Sequence, residues 1–409
     1  MKQILIIGHQ WPEPQSTAAG TRILQLLQLL DPMNNTIHFA TAAVSNEYSA
    51  KLADMGITEK QIKLNDDSFD EYIKMLQPDV VIFDRFVTEE HYGWRVVQTC
   101  PNAITILDTE DLHFLREARR TALAKQINWS DTLLFTDLAQ REITSILRCD
   151  YSLIISEMEM ELLQNIFEIS EEKLVYIPFL IDTSSDIFDR ELRTYEDRKH
   201  FMMIGNEMHA PNRDAVIYTK NVIWPLIRRQ LPQAELHVYG SYQSQKTQQF
   251  HNPKTGFLIK GRAEEAINTM SNYRLLLAPL RFGAGLKGKI FDALQAGTPV
   301  AMTAIAAEAM FDKSVYGFVE EDPEAFVDQA VKLYQYENDW YNIHTTNHNI
   351  LRERFEISSF KPQLLAVIKA KKKLATPPTN LSTFKEKMLV DSSRASFKYM
   401  SRWITLKNQ

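Results

Sequence analysis

Arg274-Leu275-Leu276-Leu277-Ala278-Pro279-Leu280, Arg281-Phe282-Gly283-Ala284-Gly285-Leu286-Lys287-Gly288-Lys289 and Ile290-Phe291-Asp292-Ala293-Leu294-Gln295-Ala296-Gly297-Thr298-Pro299-Val300 make one unbroken stretch whose reading decides the fold. A continuous apolar run gives way to glycines, then to helical spacing closed by Gly297, then to a second apolar run. This is strand, loop, helix, strand. Glycines bring backbone N–H groups close to an anion, and the helix that follows offers unpaired N–H groups and its positive dipole end. Arg281, Lys287 and Lys289 add cationic side chains. The stretch reads as a phosphate seat.

Two other phosphate patterns fit the same residues. Gly283, Gly285 and Gly288 satisfy the dinucleotide fingerprint G-x-G-x-x-G, with Glu308 as the ribose acid. That acid should end the next strand, however, and the strand here should close near Met302 or Thr303, leaving Glu308 inside a later alanine-rich helix. Gly283, Gly288 and Lys289 also satisfy G-x-x-x-x-G-K, but Ile290 stands where Ser or Thr must hold magnesium.

Outward from this stretch the chain alternates short apolar runs with amphipathic ones. Strands are expected at 4–7, 36–41, 80–83, 103–107, 151–155 and 174–177, then at 200–204, 235–239, 256–260, 274–278 and 299–303. Such alternation implies parallel sheets covered on both faces, with ligands beyond the carboxyl ends of the strands. The first such loop ends in Gly20-Thr21-Arg22. Another, Asp108-Thr109-Glu110-Asp111-Leu112-His113, precedes Arg116, Arg119 and Arg120; its carboxylates are either paired with those arginines or used for chemistry. The alternative is a helix start capped by Asp111. Ser156 with Glu159 reads as a capping box and carries no assigned chemistry. Pro225 should break or kink the helix that begins near Pro211.

With 409 residues the chain has room for two or three domains, and 44% hydrophobic with 24% charged residues is ordinary globular composition. A net charge of -6 argues against a dedicated nucleic-acid partner. Cys100 and Cys149 lack paired spacing, so neither a disulfide framework nor a zinc site is expected, and the compartment should be reducing. The apolar run at 4–7 is too short for a signal peptide and no run approaches the roughly 20 residues of a membrane span. A cytoplasmic protein is expected.

From Met203 onward the chain resembles the nucleotide-sugar half of a family 4 glycosyltransferase. The resemblance rests on Ala278-Pro279, on Arg281 to Lys289 read as R-x-G-x-G-x-K-x-K, and on Asp292-Ala293 to Val300. A second block is Ile204-Gly205-Asn206-Glu207-Met208-His209-Ala210-Pro211-Asn212-Arg213-Asp214, with Trp224-Pro225 and Val238-Tyr239-Gly240 behind it. The resemblance implies a GT-B fold: α/β, with two facing Rossmann-like domains, parallel sheets and a C-terminal helix crossing back to the first domain. It implies an acceptor-side domain at 1–183, a linker at 184–199, a nucleotide-sugar domain at 200–375 and a basic tail at 376–409 on the first domain.

By the same resemblance, a sugar would pass from a nucleotide-diphosphate donor to an acceptor hydroxyl on a glycan, lipid-linked or small-molecule acceptor, with retained configuration and no metal or cofactor. The setting would be bacterial surface glycan or glycoconjugate synthesis. Arg281 and Lys287 would hold the diphosphate with Gly283 and Gly285, and Lys289 would either assist or point at the sheet. Asp292 would bind the ribose, Gly20, Arg22, Gly205 and Asn206 would lie near the donor, and Glu110 or His113 would face the sugar. Ala284 stands where many relatives carry a donor-sugar glutamate. Two alternatives stay open: a sugar-nucleotide epimerase on the same fold and, motivated by Ala284 and the missing loop histidine, a catalytically degenerate nucleotide-sugar binding protein.

Residues 369–409 hold ten Lys or Arg against Glu386 and Asp391, and Phe397, Met400, Trp403 and Ile404 recur at helical spacing. This tail is read as an amphipathic helix that packs on the first domain, with peripheral contact to an anionic membrane as the other reading.

Overall fold

The computed structural model describes residues 1–184, 193–311, 319–372 and 377–407, apart from the side chain of Ser382. Residues 185–192 of the expected linker lie outside the described residues.

The first sheet is parallel throughout and comprises β1 (Gln3–Gly8), β2 (Thr36–Thr41), β3 (Thr58–Gln61), β4 (Val80–Asp84), β5 (Ile104–Asp108), β6 (Tyr151–Ile154) and β7 (Leu174–Tyr176), in the order β3-β2-β1-β4-β5-β6-β7. Its strands are apolar without alternation because both faces are covered. Ile4 and Ile6 pack into one core with Ile23, Leu26, Val80 and Ile82, whereas Leu5 and Ile7 enter the other with Val81, Phe83 and Leu107. Successive side chains of a strand point to opposite faces, so continuous burial needs a continuous apolar run.

The second sheet has β8 (Lys199–Ile204), β9 (Leu236–Tyr239), β10 (Phe257–Gly261), β11 (Tyr273–Ala278) and β12 (Val300–Met302), also parallel, in the order β10-β9-β8-β11-β12. Two Rossmann-like units, each with its own core, thus follow one another. The chain then crosses back. The expected range 200–375 includes the helix Ile357–Lys369, which places Leu364, Val367 and Ile368 in the first unit's core. The terminal helix Leu381–Lys407 packs on the helices Phe86–Thr99 and Asp137–Arg148 of the first unit. There Arg148 Nη1 donates to Ser393 Oγ at 3.0 Å and Thr405 Oγ1 to the Asn65 carbonyl at 2.6 Å.

One strand was not foreseen: in β3, Thr58, Glu59, Lys60 and Gln61 are all exposed on a sheet edge, so they carry no apolar signal. The helix from Ala210 is interrupted ahead of Pro225, as expected: the chain takes a wider π-type turn at Thr219–Ile223 and resumes as Trp224–Gln230, which puts the proline in a first turn that needs no N–H.

Arg22, expected near the donor, is instead a core residue. It is 1% exposed, holds the 0% exposed Asp108 through Nε at 3.0 Å and Nη2 at 2.8 Å, and donates from Nη1 to the Ile177 carbonyl at 2.7 Å. A buried charge persists only when paired and hydrogen-bonded, so this pair ties the end of β5 to the segment after β7. Arg22→Met should leave Asp108 uncompensated and destabilise the protein by about 3–5 kcal/mol, read as a lowered urea midpoint.

Candidate active site

The carboxyl ends of the two sheets face a shared cleft of about 670 Å³. Loops after β1, β2, β4 and β5 form one wall, and loops after β8, β9 and β11 the other. Of the residues singled out from sequence, Glu110, His113, Gly205, Asn206, Gly283, Lys287, Lys289 and Asp292 line it. Gly20, Arg22, Gly285 and Arg281 are not among its lining residues.

Each exclusion has a local cause. Gly20 opens the helix Ala18–Leu29 against the preceding loop, where an added Cβ would lie 2.5 Å from Glu13 backbone atoms. Arg281 lies over the Tyr218 ring, 4.7 Å from its centroid, and donates to both oxygens of Asp214 at 2.9 and 2.5 Å. Gly285 has φ +61, and a Cβ there would meet Asp111 Cβ at 2.7 Å. Its glycine is needed for close approach of the first domain. Gly288 likewise faces Ala18, whose Cβ would lie 2.6 Å from an added carbon.

The strand, glycine loop and helix form as the sequence implies, but Gly285 N, expected to face the diphosphate, is donated to Glu159 Oε1 at 2.8 Å. β11 ends at Ala278, and the helix Gly288–Gln295 begins after the glycine loop, with its first backbone bond donated by Ile290 N to the Lys287 carbonyl at 2.8 Å. The N–H groups before Ile290 therefore precede the helical ladder. Lys287 is 7% exposed and donates to the Ala284 and Gly285 carbonyls at 3.2 and 2.5 Å. Burial lowers its ammonium pKa. Lys289 donates to Asn212 Oδ1 at 2.7 Å, and burial followed by the nearby Lys287 lowers it to about 7. Burial pushes the Asp292 carboxyl up to about 7. Ala284 is 5% exposed and packs with the first domain's apolar core. Ile290, at the Walker hydroxyl position, is 0% exposed. Glu308 lies past the short helix Ala304–Ala307 and takes Arg119 in a two-bond pair at 2.7 and 2.8 Å. The dinucleotide and magnesium-loop patterns therefore lack their defining contacts.

Across the cleft, Glu110 follows β5 with φ +62, a conformation uncommon for a residue bearing a Cβ. It is 8% exposed, and its Oε1 has no hydrogen-bond partner among the described residues. Burial, then Asp108 and Asp84, hold its carboxyl well above the usual range. His113 sits edge-on to Phe86 with centroids 5.3 Å apart, and its Nε2 is 3.4 Å from Asp111 Oδ1. Burial lowers its imidazole to about 4, so it is neutral near pH 7. Asp111 is no helix cap: it pairs with Arg116, and Glu142 of a separate helix accepts from His113 N at 3.2 Å and Phe114 N at 3.0 Å.

Glu159 is the residue that sequence reading passed over. Its N–H does meet Ser156 Oγ at 3.5 Å, but its Oε1 accepts from Leu112 N at 3.0 Å and from Gly285 N at 2.8 Å. An acid three residues after a serine reads equally well as a capping box, so only tertiary placement distinguishes the two roles.

Comparison with known proteins bears on the fold. Residues 198–336 match the family model described as Glycosyl transferases group 1. HepE of Anabaena, solved with UDP and glucose, has a TM-score of 0.64 at 13% identity, covering 90% of this chain and 100% of its own. A glycosyltransferase of Rickettsia africae has a TM-score of 0.64 at 11% identity, covering 90% of this chain and 98% of its own. A TarM variant of S. aureus, solved with Fondaparinux, alpha-GlcNAc-glycerol and UDP, has a TM-score of 0.58 at 13% identity; it covers 74% of this chain, which spans 58% of it. No match was found among curated proteins.

Glu159 supplies a pH test. Burial raises its carboxyl to about 7, above the ordinary 4.5, so between those values the folded protein binds more protons than the unfolded chain. Stability from this group is therefore present at acid pH and lost as pH rises toward 7. Glu159→Gln keeps an acceptor oxygen without the charge, so its melting temperature should match the parent near pH 5 and exceed it near pH 8. The chain thus has the two-domain GT-B fold, and its second domain carries the group 1 glycosyl transferase signature.

Proposed function

We propose that the protein transfers a sugar from a nucleoside-diphosphate donor to an acceptor hydroxyl. The observation that carries this reading is the facing of Glu110, strained and with an unpartnered buried oxygen, against a glycine loop and helix start in one cleft. Backbone strain at a buried carboxylate persists where the surrounding structure holds it, often at a reacting centre.

In the proposed reaction, the bond from the sugar's anomeric carbon to the diphosphate oxygen breaks as a bond from the acceptor oxygen forms. The leaving diphosphate gains charge, which Lys287, Lys289 and the N–H groups at the start of Gly288–Gln295 stabilise. Desolvation lowers both lysine pKa values, so an arriving dianion raises them again and binds as they take up protons. Asp292 accepts from the ribose hydroxyls. Glu110 accepts hydrogen bonds from the sugar or the incoming hydroxyl at Oε1, and His113, neutral, lines the same cleft. The acceptor proton passes to the departing phosphate oxygen. Because cations and helix dipole neutralise the diphosphate, the reading needs no metal, and the reaction retains configuration. The acceptor belongs to surface glycan or glycoconjugate synthesis.

UDP bound in the HepE and TarM structures supports uridine diphosphate sugars as the first donors to try. UDP at about a hundred times its dissociation constant should add about 2.7 kcal/mol to stability, visible as a melting shift without magnesium. Lys287→Ala should abolish that shift. Glu110→Gln should keep it while lowering turnover by about a hundredfold or more. No shift with any nucleoside diphosphate would overturn the reading, and an epimerised donor with no acceptor product would assign the cleft to epimerisation.

A further inference from the structure

The terminal helix Leu381–Lys407 is 27 residues long, about 40 Å, and apolar on two opposite faces. Its inner face carries Val390, Phe397, Ser401 and Ile404. The Phe397 ring lies 5.1 Å from the Arg148 guanidinium, and Ser401 Oγ accepts from Arg95 Nη2 at 3.4 Å. This face is satisfied by the first domain. The outer face is not covered by the chain. Leu381 is 67% exposed, Phe384 51%, Met388 56%, Tyr399 66%, Trp403 59% and Leu406 71%. At 100° per residue these six fall in one stripe, opposite the inner face.

Charge is distributed to match. The helix carries Lys385, Lys387, Arg394, Lys398, Arg402 and Lys407 against Glu386 and Asp391, in a chain whose net charge is -6. Lys387, Arg394 and Lys398 lie along one flank of the stripe together with Asp391, Arg402 falls at the edge of the stripe on that side, and Lys407 lies on the other flank. Tyr399 and Trp403 have the apolar body and polar tip that suit a membrane interface, and Lys407 Nζ stands 5.2 Å from the Trp403 ring.

We propose that this outer face is a docking surface for an anionic lipid membrane, on which the protein lies with the helix in the interface plane. No helix among the described residues is long and apolar enough to cross a bilayer, so the contact is peripheral. A second copy of the chain fits the charge less well. A two-fold dimer through the stripe would set each basic flank beside its own copy or across the same face, concentrating positive charge with little acid to offset it. Anionic headgroups neutralise the flank while the stripe enters the acyl boundary. The proposal is independent of the sugar-transfer reading.

The test is flotation of the full chain with vesicles of phosphatidylcholine alone and of phosphatidylcholine with roughly a third phosphatidylglycerol. Binding to the anionic vesicles should be at least about tenfold tighter and should weaken as salt rises. The pair Phe384→Ser and Trp403→Ser, and separately Lys385→Glu with Lys387→Glu, should each reduce it at least about tenfold. All four side chains are exposed, so melting temperature and nucleotide-induced shift should stay at the parent value. Absence of vesicle binding, equal binding to both vesicle types, or full binding by both variants would overturn the proposal. So would a dimer in sedimentation velocity that the serine pair dissolves while vesicle binding persists.

Discussion

A single buried carboxylate holds the glycine loop against the first domain. Glu159 is 0% exposed, and one of its oxygens receives both Leu112 N and Gly285 N, so a loop expected to receive phosphate gives one of its N–H groups to the opposite domain. The contact requires Gly285 at φ +61, because any side chain would strike Asp111. Arg119 reinforces it from the same wall, donating to the Gly283 carbonyl at 2.8 Å and to Glu308. Two cores that could each fold around its own sheet are thereby fixed with their carboxyl edges face to face, and the cleft between them acquires a definite shape.

That placement sets the electrostatics. Within the cleft, burial disfavours charge on five groups, with Glu110 and Asp292 raised and Lys287, Lys289 and His113 lowered, whereas Asp111 and Arg116 keep their charges by pairing with each other. An anionic ligand would restore the charge of the two lysines, because a nearby negative charge favours their protonated forms. The diphosphate of the proposed donor has that charge. The same logic explains why Arg281, solvated and already paired with Asp214, contributes less to the cleft than its place in the motif implies.

The terminal helix obeys a second constraint. Its inner face completes the first domain, using Arg148 and Arg95, both of which also pair with carboxylates: Arg148 with buried Glu89, and Arg95 with half-buried Asp70. Its outer face is left apolar and flanked by cations. A helix needed only as a brace would carry a polar outer surface.

Sequence alone determined the sheets and the seat. Continuous apolar runs fix parallel strands, because both faces must be buried, and glycines followed by helical spacing fix the loop at 279–288 and the helix that holds Asp292. It could not determine which charged residues reach the cleft. Arg22 and Arg281 carry the same charge as Lys287, yet one is sealed behind β5 by Asp108, the other is held outside by Asp214, and only the third lines the cavity. β3 escaped notice because an exposed edge imposes no apolar pattern, and Glu159 because a cap and an interdomain acceptor share one spacing. Local patterning records the burial of backbone faces. The partner of a long charged side chain is chosen by distances between elements far apart in the chain, and those exist only once both domains have packed.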